Sequence, residues 1–241
     1  MMRLDKFLAN MTLYSRKDSK NIIREGRVTV NGNMKKSPKT KINPNRDHIT
    51  LDGEIIPYKP FVYYLLNKPQ GVISSTKNEI DPLVTQFLPD EIIQIYAPFP
   101  VGRLDKDTEG LLLLTNDGEF THRALSPKYG IKKVYEAVIA GQMTEKDAEE
   151  FQAGIILEDG EACLPAELKL LEHHSKERDR VQITIQEGKF HQIKRMCQAI
   201  NKPVLNLRRI SMGTLDLPKD LQLGEVRELT QSFVYEKVLG E

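Results

Sequence analysis

Asp105 and Asp107 stand in "VGRLDKDTEGLLLLTNDGEF" (residues 101–120), on a loop that runs into four consecutive leucines. A carboxylate just ahead of a buried strand has the rigid base that a nucleophile or general base requires, and it also suits a plain turn cap. To react, it needs a cation beside it to favour the ionised form, a flat face to hold a substrate, and an apolar wall. Lys194 in "EGKFHQIKRMCQAI" offers the cation. There Ile193, Met196, Cys197 and Ile200 form the buried stripe of a helix that begins after Gly188. At roughly 100° per residue Lys194 borders that stripe, whereas Arg195 points away toward solvent or a partner. Tyr135 in "KVYEAVIA" offers the flat face, and Ile183 and Ile185 are apolar positions on a strand feeding the helix. Taken singly these are a turn carboxylate, a surface lysine, a core tyrosine and core isoleucines. Only their combination points to chemistry. Arg103, just upstream of the aspartates, could contact phosphate or brace the loop, and His191 reads as a structural or partner-facing residue.

The elements that must position these groups fall into two sets. In "RLDKFLANM" Leu4, Phe7, Leu8 and Met11 recur at helical spacing. A second helix starts at Ser15, with Asp18 three residues on, buries Ile22 and Ile23, and stops at Gly26. "RVTVNG" and "HITLDGEII" then read as hairpins turning at Asn31-Gly32 and Asp52-Gly53. "PYKP" (57–60) reads as a stiff linker. After it come the apolar strand "FVYYLLN", the breakers of "NKPQG", and "LLLLTNDG", a buried strand ended by an Asn-Asp-Gly turn. Strands "KVYEAVIA", "AELKLL" and "VQITIQ" alternate with helices near 144–154 and 190–201. No clean β-α-β repeat emerges, so the expected class is α+β. A small helix-helix-hairpin domain (1–57) precedes a mixed, largely antiparallel sheet with flanking helices (61–241). "EHHSKERDR" reads as a charged connection whose adjacent His173 and His174 face different ways and lack company for a metal.

Charge sharpens the division. Residues 1–59 hold 13 Lys and Arg against 6 Asp and Glu, a net of +7, and the remainder holds 22 against 28, a net of −6. On the second helix Arg16, Lys20 and Arg24 recur every fourth residue and so share one face. With Lys17 and Arg27 they form a row able to neutralise successive phosphates of a nucleic acid. Cys163 and Cys197 are too far apart for a C-x-x-C motif and are expected as free thiols in a reducing compartment. The start lacks a basic-then-apolar leader, and no apolar run reaches the roughly 20 residues of a membrane span. The expectation is a soluble, cytoplasmic monomer.

Two resemblances follow. "RLDKFLA" and "IREGRVTVNG" resemble the alpha-L RNA-binding module of a small-subunit ribosomal protein and of tyrosyl-tRNA synthetases. "LLNKPQGVISS", "GRLDKDTEGLLLLTNDG", "KVYEAVI" and "EGKFHQIKRM" resemble the successive motifs of RNA pseudouridine synthases, in the RsuA-type, small-subunit branch. That resemblance implies isomerisation of a uridine in RNA, most closely in 16S rRNA. Asp105 is then the essential aspartate, Tyr135 the residue stacking on the base, and Lys194 the basic partner. Ile185 packs against the base, with Ile183 the alternative. Arg16, Lys17, Lys20, Arg24, Arg27, Arg103 and Arg195 become the RNA contacts. An isomerisation consumes nothing, so no cofactor or metal is expected. A large-subunit rRNA target, or a non-catalytic RNA-binding assembly factor, are the alternatives. "LDKDTEG" also brushes the D-x-D-x-T signature of aspartate-nucleophile phosphatases, but its threonine comes one residue early and the apolar strand follows rather than precedes the aspartates.

Overall fold

The computed structural model of the protein describes residues 1–77, 80–175 and 177–241, with His174 and Ser175 described by their backbone only. The chain forms two compact units, Met1–Phe61 with Pro89–Ala97, and Val62–Leu88 with Pro98–Glu241.

In the first unit a short strand β1 (Met2–Arg3) leads into α1 (Leu4–Met11) and α2 (Arg16–Arg24). Ser15 caps α2 by accepting the amide of Asp18, and Gly26 leaves the helix at φ +80°, the left-handed stop that glycine takes without steric cost. Strands β2 (Val28–Val30), β3 (Asn33–Met34), β5 (Ile49–Leu51) and β6 (Glu54–Ile55) form a four-stranded sheet in the order β3-β2-β5-β6, while β4 (Lys41–Ile42) pairs with β1. Both hairpins turn at residues with positive φ, Asn31-Gly32 and Asp52-Gly53, as the turn that matches strand twist demands. Leu4, Phe7, Leu8, Ile22, Ile23, Val28 and Ile49 close the core. A third helix, α3 (Asp90–Tyr96), packs on α1 in this unit although its sequence lies among residues of the second. Local pattern reveals a helix's apolar side chains but not which distant element they cover.

The second unit is a nine-stranded sheet. Its strands are β7 (Tyr63–Lys68), β8 (Phe99–Pro100), β9 (Glu109–Thr115), β10 (Lys133–Ala140), β11 (Glu167–Ser175), β12 (Arg178–Ile185), β13 (Val204–Met212), β14 (Leu215–Asp216) and β15 (Val226–Leu229). They run in the order β11-β12-β10-β13-β9-β7-β15, with β14 on β13 and β8 on β9. Of the pairs between these strands only β9 with β13 is parallel. The sheet is therefore mixed and largely antiparallel. The four leucines of β9 are buried on both faces, which is why they read as an unbroken run. Leu111 and Leu113 pack with Tyr63, Leu65, Phe120, Ala124, Val234 and Val238, under α4 (Gly118–Leu125) and α7 (Gln231–Val234). Helices α5 (Glu145–Ala153) and α6 (Gln192–Ala199) complete the unit. Thr144 and Asp147 form a reciprocal capping box at the start of α5.

Two sequence expectations are corrected. "NDG" does not end β9 in a turn: Asp117 is the N-cap of α4, accepting the Phe120 amide at 3.0 Å, and it also accepts the hydroxyl of Tyr63 at 2.6 Å. Asx residues favour turns and caps for the same hydrogen-bonding reason, and the buried tyrosine decided between them. "EHHSKERDR" is not a loose connection, because β11 continues to Ser175 and β12 resumes at Arg178. His173 lies in β11, 3.0 Å from the buried Asp179, and the side chain of His174 lies outside the described residues. Cys163 and Cys197 are free and buried; burial pushes the Cys197 thiol up to about 12.

Candidate active site

Asp105 lies on the loop between β8 and β9, and the segment after β7 holds that loop in place. Lys68, the last residue of β7, is fully buried. Its ammonium donates to the carbonyls of Asp105 at 3.0 Å, Thr108 at 2.9 Å, Lys106 at 3.4 Å and Pro69 at 3.0 Å. Burial lowers its pKa to about 8, against the raising effect of Asp105, Asp107 and Glu109. Ser74 both donates to the carbonyl and accepts the amide of Leu104, and the Gly71 amide donates to Lys106. The motif "NKPQG" is thus a clamp on the backbone that carries Asp105.

Opposite stands α6. His191 precedes it in the left-handed conformation, φ 47° and ψ 34°. Gln192, Ile193, Met196 and Cys197 form its buried side, and Lys194 borders that side as the helical angle requires. The Lys194 ammonium lies 2.9 Å from Asp105 Oδ2 and 2.5 Å from Asp107 Oδ1. Asp107, which the sequence offers as a local loop or helix-start residue, therefore shares the lysine. The Lys194 hydrogen bond holds the Asp107 carboxyl below its usual range; burial opposes the charge on Lys194, but its bonds to both aspartates leave its pKa raised. His191 Nε2 is 3.5 Å from Asp105 Oδ1, nearer the carboxylate than the sequence placed it, and its ring stacks on exposed Phe190 with centroids 3.8 Å apart.

A cavity of about 500 Å³ opens beside Asp105, walled by Tyr135, Ile185, Leu207 and Arg209 and edged by Arg103 and Lys194. Tyr135 sits on β10 between Ile183 of β12 and Arg209 of β13. Ile185 lines the cavity, whereas Ile183, directly paired with Tyr135, is not among the residues at its wall. Arg103 is exposed and pairs with no carboxylate among the described residues. Arg195 departs from expectation. Its guanidinium meets Asp159 at 2.6 Å and Glu161 at 3.5 Å rather than open solvent, because the turn before β11 brings two carboxylates to the face of α6 that periodicity had left free.

Lys68, Lys133 and Arg209 are not among the candidates that motif and spacing single out. All three are buried, and the last two line the cavity. A signal for them existed: Lys133 shares the alternating phase of Tyr135, and Arg209 that of Leu207, so each is a cation on the inward face of a strand. In the first unit Arg16, Lys17, Arg24 and Arg27 are exposed and Lys20 is half-buried. Arg27 is engaged by Asp52 at 2.6 Å and Arg16 lies 3.8 Å from Asp5, while Lys17, Lys20 and Arg24 pair with no carboxylate among the described residues.

An aspartate–lysine pair stands at the mouth of a cavity on a mixed sheet, and a basic helix-helix-hairpin unit precedes that sheet in the chain. The family model for RNA pseudouridylate synthase matches residues 62–199, and that for the S4 domain matches residues 2–48. The chain belongs to the RNA pseudouridylate synthase family. It is an isomerase with an N-terminal S4 unit. It is 41% identical over 95% of both chains to the RNA pseudouridine synthase YtzG of Bacillus subtilis. It is 37% identical over 95% of both chains to ribosomal small subunit pseudouridine synthase A of Yersinia pestis. With ribosomal large subunit pseudouridine synthase B of Bacillus subtilis it shares 39% over 95% of this chain and 93% of the other. A crystal structure of a pseudouridylate synthase matches 99% of this chain and 100% of its own, with a TM-score of 0.67 and 35% identity.

Proposed function

We propose that the protein converts a uridine of 16S ribosomal RNA to pseudouridine, with Asp105 as its reactive carboxylate. The observation that carries this reading is the Asp105–Lys194 pair at 2.9 Å, set at the edge of a cavity walled by Tyr135 and Ile185. A uridine in folded RNA must first leave its stack, at a cost of a few kcal/mol, and stacking on Tyr135 returns roughly 1–3 kcal/mol. The carboxylate then acts as a nucleophile on ribose or base, or removes a ribose proton. The bond from N1 to ribose C1′ breaks, the uracil turns, C5 bonds to C1′, the C5 proton leaves and N1 gains one. Atoms and electrons balance without an oxidant or a metal. Ile185 and Leu207 keep water from the detached uracil. Lys17, Lys20, Arg24 and Arg103 are free to hold phosphates.

The ribosomal target is supported by the names of the relatives, which divide between the two subunits. The lysine of "FHQIKRM" favours the small one. Incubation with separate transcripts of small- and large-subunit rRNA tests this, pseudouridine being mapped by carbodiimide-dependent reverse-transcription stops. The expected result is one new stop in the small-subunit transcript. A stop in the large-subunit transcript alone would overturn the assignment in favour of the large-subunit reading.

A further inference from the structure

Arg209 and Lys133 form a cationic floor beneath Tyr135. Arg209 is 2% exposed and directly opposite Tyr135 in the β10–β13 register. Its Nε donates to the carbonyl of Leu111 at 2.7 Å, and its guanidinium carbon stands 6.0 Å from the centre of the Tyr135 ring. Its Nη2 is buried and has no hydrogen-bond partner among the described residues. Lys133, two residues from Tyr135 on the same face of β10, is 4% exposed, and among the described residues its ammonium donates only to the carbonyl of Ile131, at 3.2 Å. Neither cation has a carboxylate partner among the described residues, and both line the cavity. Two buried cations without a counter-ion, one with an idle donor, are costly to folding on their own account.

We infer that Lys133 and Arg209 are catalytic residues whose task is to take up the negative charge that uracil acquires during the reaction. This rests on the isomerisation mechanism described above. In every route open to Asp105 the uracil accepts an electron pair. If the N1–C1′ bond breaks, the bonding pair leaves with the base and spreads over N1, O2 and O4, while C1′ bonds to the carboxylate or shares a double bond with C2′ after loss of the 2′ proton. If the carboxylate adds to C6, the pair moves from the C5–C6 bond to O4. A base stacked on Tyr135 lies within reach of both Lys133 and Arg209, because cross-strand and next-but-one neighbours on a sheet face are roughly 5–7 Å away. In a site closed to water, fixed donors of this kind act where charge develops. β9 and β13 approach closely at Gly110, the register partner of Arg209: a Cβ there would lie 2.2 Å from the Arg209 carbonyl. That approach is what lets Arg209 reach Leu111 and remain under the tyrosine.

The test has two arms. In the first, Lys133→Met and Arg209→Met are compared with the native chain in single-turnover loss of the N1-linked nucleoside from rRNA transcripts made with uridine or with 5-fluorouridine, whose base leaves more readily as an anion but has no C5 proton to release afterwards. Each variant should lose about 100-fold or more on uridine RNA and less than about tenfold on 5-fluorouridine RNA, with RNA affinity within about twofold of native. Equal losses on both RNAs, or losses accounted for by RNA affinity, would overturn the inference. The second arm needs no RNA and so separates failure of this inference from failure of the proposed target. By NMR titration the native chain should bind 5-nitrouracil, an anion at neutral pH, in preference to neutral uracil, and either variant should abolish the preference. No preference in the native chain would also overturn it. The hydrogen bond of the Lys133 ammonium runs to Ile131, two residues away, and ties no second strand, so Lys133→Met keeps both arms decisive if Arg209→Met fails to fold.

Discussion

Lys68 shows how one side chain can govern a site without touching what reacts there. Its ammonium gathers the carbonyls of Asp105, Lys106 and Thr108, so the position of the carboxylate depends on a lysine thirty-seven residues earlier. Lys68→Met should lower single-turnover conversion by about 100-fold, the order expected when a reacting group is misplaced by an ångström, with RNA affinity unchanged. A reduced affinity with unchanged turnover would contradict this. The same lysine gives a pH signature. Its pKa is lowered on folding from 10.5 to about 8, chiefly by burial, so between those values the unfolded chain binds more protons and stability rises with pH. Lys133, also lowered to about 8 by burial and the neighbouring Arg209, adds to the same window. Unfolding by urea at pH 7.5 and pH 10 should show native stability higher at pH 10, with Lys68→Met removing a share of up to roughly 3 kcal/mol. A pH difference identical in native and variant chains would contradict the buried-cation reading.

At the level of elements, the junction of β9 with β13 couples the reactive loop to the strand beneath Tyr135. Gly110 has φ +102°, and an added Cβ would meet Arg209 backbone atoms at 2.2 and 2.9 Å. Gly110→Ala should therefore cost roughly 3 kcal/mol or more and lower Tm by about 6–12 °C; a fall of under about 2 °C would show that the strands can part there without consequence. This junction was not legible in the sequence. Strands of four leucines, the alternation of "KVYEAVIA" and the paired turn residues Asn31-Gly32 and Asp52-Gly53 are local signals, and they led to the right elements. Parallel pairing of β9 with β13, the packing of α3 on α1 and the capping of α4 by Asp117 depend on partners far along the chain. The site divides in the same way. Asp105, Tyr135 and Lys194 stand in motifs that can be matched as strings, Ile185 on the strand just before one of them, and the structure brings all four to one cavity. Lys68, Lys133 and Arg209 look like ordinary surface cations until a strand's phase is known to point inward, and Arg195 looks free until Asp159 and Glu161 fold against it.

Over the whole molecule, charge is distributed by task. In the first unit α2 carries four cations against one aspartate, and Lys17, Lys20 and Arg24 on it are left without carboxylate partners among the described residues. Replacing all three by Gln should reduce the slope of log affinity against log salt by roughly 2–3, since each phosphate contact releases about one counterion. An unchanged slope would remove this helix from the RNA-binding surface. One carboxylate is clamped from behind by Lys68, paired in front with Lys194, and placed at the cavity walled by Tyr135 and Ile185. Incubation with rRNA transcripts tritiated at uracil C5 tests it directly, because C5 loses its hydrogen only when it becomes the carbon bonded to ribose. Release of tritium by the native chain and none by Asp105→Asn, with both binding RNA alike, is the predicted result; equal release by the two chains would contradict the central role of Asp105.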